Sequence, residues 1–89
     1  MVQRMYLRRR FDHDGRSLEL RAALDSHNWY LGVFEDGAPV SGELSRLSAR
    51  DVELARRRQG VDLIEDTLQL LQRQIEGGEL RLRRAFLRG

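Results

Sequence analysis

Hydrophobic and polar residues alternate with period two along the first half of the chain. Along the second half they step by three and four, which predicts strands followed by helix. Met5, Leu7 and Phe11 alternate with Arg4, Tyr6, Arg8 and Arg10. Leu18, Leu20, Ala22 and Leu24 alternate with Ser17, Glu19, Arg21 and Ala23, and Trp29, Leu31 and Val33 with Tyr30, Gly32 and Phe34. Turn-forming residues separate these runs: Asp12-His13-Asp14-Gly15, then Asp25-Ser26-His27-Asn28, then Asp36-Gly37-Ala38-Pro39, which holds the only proline. The pattern predicts a three- to four-stranded antiparallel meander with strands near 3–11, 16–24 and 28–35, extended by 40–44 or by 80–84.

The alternation also predicts a register. Pairing Phe11 with Arg16 across the first turn sets Leu7 opposite Leu20, Met5 opposite Ala22 and Arg9 opposite Leu18. On the other face the same pairing sets Arg8 opposite Glu19 and Tyr6 opposite Arg21. Pairing Leu24 with Trp29 across the second turn sets Ala22 opposite Leu31, Leu20 opposite Val33, Ala23 opposite Tyr30 and Glu19 opposite Phe34. The two hairpins then agree on one apolar face, and a one-residue slip in either would destroy that agreement.

The helical half opens at Ser48, a capping residue followed by Asp51 where an acid suits the positive end of a helix. A segment near 49–59 reaches Gly60, a kink or a break. The clearest helix is 61–76, where Val61, Ile64, Leu68, Leu71 and Ile75 form a stripe and Gly77-Gly78 supplies a C-terminal stop. Leu63, Thr67, Leu70 and Gln74 widen that stripe, so Leu63 and Leu70 need a second neighbour: the segment 49–59 or another copy of the chain. The expected fold is α+β, with this helix across one sheet face. Its predicted core is Leu7, Leu18, Leu20, Leu24, Trp29, Leu31, Val33, Ile64, Leu68, Leu71 and Ile75. Ala85, Phe86 and Leu87 are placed to dock on it.

Composition changes this picture little. The 89 residues read as one small domain, 1–89. At that length roughly 60–65% of the unfolded surface is buried, and association is a common route to further stability. All sixteen basic residues are arginine and fourteen acids offset them, leaving a formal charge of +2. The complete absence of lysine fits the codon habit of a GC-rich genome, which weakens the arginine count as evidence of function. Without cysteine there can be no disulfide, zinc–thiolate site or cysteine nucleophile. No apolar run suits a secretory signal or approaches the roughly 20 residues of a membrane span, so a cytoplasmic location is expected.

Candidate chemistry is sparse. Asp12-His13-Asp14-Gly15 holds two carboxylates and an imidazole but lacks the further ligands of a calcium or zinc site, and reads as a polar turn. His27 lies in the other turn, a strand length from His13. Ser41-Gly42 lacks the preceding glycine of a nucleophile elbow, and no glycine loop precedes a helix. No catalytic, cofactor-binding or metal-ligating set can be named, so a non-enzymatic protein is expected. Arg56-Arg57-Arg58 follows Glu53 and reads as an ion-paired helix face.

One surface stands out. The sheet face turned from the helix gathers Arg4, Tyr6, Arg8 and Arg10 with Ser17, Glu19 and Arg21, then Tyr30, Gly32 and Phe34. Arg81, Arg83, Arg84 and Arg88 would add to it if the tail lies nearby. Arginines among aromatic rings suit single-stranded nucleic acid, where bases stack and guanidiniums meet phosphates. An Arg8–Glu19 ion pair and Tyr6 stacked on Arg21 explain the same residues structurally, and no ribonucleoprotein-type motif is present. The preferred expectation is therefore a homodimer or a module for a protein partner, using this face or Leu63 and Leu70; nucleic-acid binding is the alternative.

Overall fold

The computed structural model describes residues 6–82. Strands β1 (Tyr6–His13), β2 (Arg16–Leu24), β3 (Asn28–Glu35), β4 (Ala38–Pro39) and β5 (Ser45–Ser48) precede helices α1 (Ala49–Gln59) and α2 (Leu63–Glu76). The sheet is an antiparallel meander in the order β1-β2-β3-β4, with β5 also paired to β3. Both helices pack on it, as the α+β expectation has it. Arg4 and Met5 lie outside the described residues, as do Arg83, Arg84, Ala85, Phe86, Leu87 and Arg88. Residues 80–82 are not a strand.

The β2–β3 register is the predicted one, from Leu24 opposite Trp29 to Glu19 opposite Phe34. The β1–β2 register is not. His13 pairs with Arg16, Phe11 with Leu18, Arg9 with Leu20 and Leu7 with Ala22. β1 runs on through Asp12 and His13, and the chain reverses over Asp14 and Gly15 alone. Both have positive φ, 50° and 73°, as a two-residue type I′ hairpin requires. Asp-Gly is a strong sequence signal for that turn, and reading four turn residues there misplaces the pairing by two. A shift of two preserves which face each residue takes and changes every partner. Asp36 and Gly37, with φ of 50° and 81°, make a second such turn into β4.

Beyond β4 the returning chain leaves the ladder and rejoins it as β5. Residues 40–44 bulge opposite Gly32 and Val33. Val33 is still satisfied: its N–H donates to Ser41 Oγ at 3.0 Å and its carbonyl accepts from Val40 N–H at 2.8 Å. The expected strand at 40–44 is therefore an irregular stretch, and pairing falls on either side of it. The bulge also drives Val40 into the core.

Ser48 caps α1, its Oγ accepting from Asp51 N–H at 3.0 Å. Gly60 breaks the helix. It adopts φ 64°, and its N–H turns back to the carbonyls of Ala55 and Arg56. Helix α2 starts two residues later than the stripe suggests. Asp62 is its N-cap, accepting from Ile64 and Glu65 N–H at 3.1 Å each, and Val61 belongs to the link.

The core is Leu18, Leu20, Ala22, Trp29, Leu31, Val33, Val40, Val52, Ile64, Leu68, Leu71 and Ile75. Leu7 and Leu24 correct the predicted list. Helix α2 lies over β2 and β3, so Leu7, on edge strand β1, stays 46% exposed. Leu24 is partly buried against the cluster. Ala22, Val40 and Val52 complete it. β1 is tied to α2 by charge instead, through an ion pair from Arg9 Nη2 to Glu65 Oε2.

Candidate functional site

Strand alternation and the observed pairings lay out the face turned away from the helices as rows. Tyr6, Ala23, Tyr30 and Arg46 form one row across β1, β2, β3 and β5. Arg8, Arg21 and Gly32 form the next, and Arg10, Glu19, Phe34 and Pro39 the third. Asp12 opposite Ser17 ends the face. The candidate residues Tyr6, Arg8, Arg10, Arg21, Tyr30 and Phe34 are thus brought together; Arg4 lies outside the described residues. Arg46 was missed because 45–48 does not read as a strand: Leu47 is its only apolar residue.

The shifted register alters the chemistry of this face. Arg8 lies opposite Arg21, not Glu19, and Tyr6 lies opposite Ala23, not Arg21. Like charges directly opposite each other in a sheet are unfavourable. Glu19 serves both neighbouring strand positions. Its Oε1 accepts a hydrogen bond from Arg21 Nε, and its Oε2 lies 3.9 Å from Arg10 Nε. Arg8 has no carboxylate partner among the described residues; its guanidinium lies over the Tyr6 ring, 5.6 Å from the centroid. The Arg21 guanidinium lies 4.5 Å from the centroid of Phe34 and covers that ring. The Arg21 hydrogen bond, with the charges of Arg21, Arg8 and Arg10, holds the Glu19 carboxyl below the usual carboxylate range against the opposing effect of desolvation.

Together these side chains enclose a concavity of ≈ 390 Å³ lined by Arg8, Arg10, Ser17, Glu19, Arg21 and Phe34, with Asp36 and Gly37 from the β3–β4 turn. Ser17, a small side chain, leaves room in it. Beside the hollow on β3, Gly32 has no side chain. A Cβ on Gly32 would sit 2.4 Å from Leu44 Cδ2, so the bulge lays Leu44 over the gap that glycine leaves. A glycine inside a strand is the sequence signal for such a close approach.

Two arginines outside this hollow are already paired. Arg16 holds Glu35 in a two-pronged bridge, Nε to Oε2 at 3.0 Å and Nη2 to Oε1 at 2.7 Å. Arg57 pairs with Glu53 at 3.0 Å one turn away on α1, as its sequence neighbours imply. Asp12 and His13 point to opposite sheet faces, and His13 Nε2 lies 3.3 Å from Asp14 Oδ2. His13 and His27 stand at opposite ends of β2. On α2, Leu63 is partly buried against the core to which α1 contributes Val52, while Leu70 is 47% exposed. Among the described residues no helix is long and apolar enough to cross a membrane. No family model, curated protein or solved structure matches this chain.

Proposed function

We propose that this chain is a non-enzymatic interaction domain of the cytoplasm that holds an acidic protein partner on the outer face of its sheet. The supporting observation is the Arg8–Arg21 register, in which Glu19 engages Arg21 and Arg10 and leaves Arg8 without a carboxylate partner among the described residues. A face built this way gains from an added negative charge. The two histidines lie too far apart to share a site, which favours binding over catalysis. The cytoplasmic placement rests on the charge-rich, cysteine-free composition.

A second copy, with formal charge +2, is a different kind of partner. A two-fold dimer through this face would set arginine against arginine, which repulsion opposes. Exposed Leu70 on α2 favours a dimer through the helix instead. Sedimentation mass decides that route: a dimer that Leu70→Glu dissociates supports it, and equal monomer masses remove it. Single-stranded nucleic acid is favoured by the same arginines and by Tyr6, which is 48% exposed. Against it, the Arg21 guanidinium already lies over the Phe34 ring, which takes that face from bases.

Fluorescence anisotropy with labelled poly-L-glutamate and with a mixed-sequence single-stranded RNA compares the two readings. The proposal expects salt-sensitive poly-glutamate binding that weakens in Arg8→Ala. Tighter RNA binding, lost in Arg8→Ala and Tyr6→Ala, would replace the protein partner with nucleic acid. Binding of both probes at wild-type strength in Arg8→Ala would remove the outer face as the working surface.

A further inference from the structure

Glu19 does more than neutralise its neighbours. Its side chain is 16% exposed, close to the 22% of Arg21 and far below the 84% of Arg10, so the carboxylate and Arg21 lie low in the concavity and Arg10 stands at its rim. The carboxylate occupies the position where the guanidiniums would hold an anion from outside. We propose that the concavity between Arg8, Arg10 and Arg21 is a seat for a phosphate monoester on a protein partner, and that Glu19 is a built-in competitor which the phosphate displaces. This rests on the outer face being the working surface and adds the chemistry of the ligand.

The selectivity follows from competition. Glu19 is tethered on β2, so its effective concentration at the arginines is far above that of a free carboxylate. A ligand with one negative charge offers the arginines no more than Glu19 already does. A phosphate monoester carries about −1.5 to −2 charges at neutral pH and three acceptor oxygens. It can therefore engage more than one guanidinium fork at once, which a single carboxylate cannot. The Ser17 hydroxyl lines the same hollow as a further hydrogen-bonding group. Asp36 on the rim opposes any anion, so the arginine contacts must outweigh it. A protein source is favoured over a nucleotide because the Phe34 ring lies under Arg21 and is not free to stack a base.

The test is a set of NMR titrations reading the arginine Nε–Hε signals of wild type, Glu19→Gln and Arg8→Ala. The probes are O-phosphoserine, inorganic phosphate, acetate and a nucleoside 5′-monophosphate. In wild type, phosphoserine and phosphate should shift the Arg8, Arg10 and Arg21 signals at concentrations where acetate does not. Glu19→Gln, which keeps shape and removes charge, should tighten phosphoserine by about ten-fold and admit acetate; Arg8→Ala should weaken it by about ten-fold. Phosphoserine binding equal in wild type and Glu19→Gln overturns the competitor, and acetate binding as well as phosphate overturns the selectivity. Either result leaves the acidic-partner reading standing if poly-glutamate still depends on Arg8. A nucleoside monophosphate that binds well above phosphoserine moves the source from protein to nucleotide and overturns the protein partner.

Discussion

The two faces of the sheet respond differently to the same shift in pairing. On the covered face, moving β1 by two residues exchanges Leu7–Leu20 for Leu7–Ala22 and Arg9–Leu18 for Arg9–Leu20, yet the apolar set stays on the same side. Burial is non-directional, so the core takes no account of which strand partner supplies the contact. On the outer face the shift exchanges an Arg8–Glu19 ion pair for an Arg8–Arg21 repulsion. Charge depends on the identity of each partner, so the same arginines and glutamate are re-paired: Glu19 faces Arg10, and Arg8 is left facing Arg21. A register error of two is thus nearly silent for the core and changes every charge pairing between β1 and β2 on the outer face.

The comparison is broken most severely on the covered side. Leu20→Ala, at a fully buried position in the middle of β2, should cost about 2–5 kcal/mol in denaturant unfolding. A loss under about 1 kcal/mol would mean that the helices do not seal this face. The turn that sets the register comes next. Gly15→Ala forces a Cβ into φ 73° and should cost about 1–2 kcal/mol, although nothing lies within 4 Å of that Cβ. If stability is unchanged, the two-residue turn is not what holds β1 in place.

Acid should loosen both faces together, and less. Hydrogen bonds from Arg21, Arg16 and Arg9 hold the carboxyls of Glu19, Glu35 and Glu65 below the usual carboxylate range. Their stabilisation is fully present above that range and is lost as pH falls through the depressed folded values. The pairs are partly exposed, so the decline should be shallow, and added salt should flatten it further. A melting temperature that stays constant through the acid range would show that these pairs contribute nothing.

The smallest effect is the sharpest probe of the outer face. Arg8→Glu sets a carboxylate opposite Arg21 and should raise stability by a few tenths of a kcal/mol while weakening binding of any anion there. A drop in stability would mean that Arg8 is already neutralised in place.

Much of this molecule is legible in the residue pattern alone. Period-two runs mark β2 and β3 and pair them correctly, and the stripe of Ile64, Leu68, Leu71 and Ile75 marks the face of α2 that is buried. Ser48 marks the start of α1, while Gly60 reads as a kink or a break and proves to be its end. These are local consequences of backbone geometry, capping and alternation, and a short stretch of chain carries all the information they need. Tertiary contact decides the rest. Leu7 alternates like a core residue, but the width of a single helix leaves an edge strand uncovered. Strand β5 has one apolar residue and exists because β3 presents an open edge to the returning chain. The proposed anion seat depends on three arginines and a glutamate meeting across β1 and β2, and hence on a register that long-range pairing completes. Hydrophobic alternation specifies a face, because burial needs only the right side of the sheet. A binding site needs the right neighbours, and those are settled only when the strands come together.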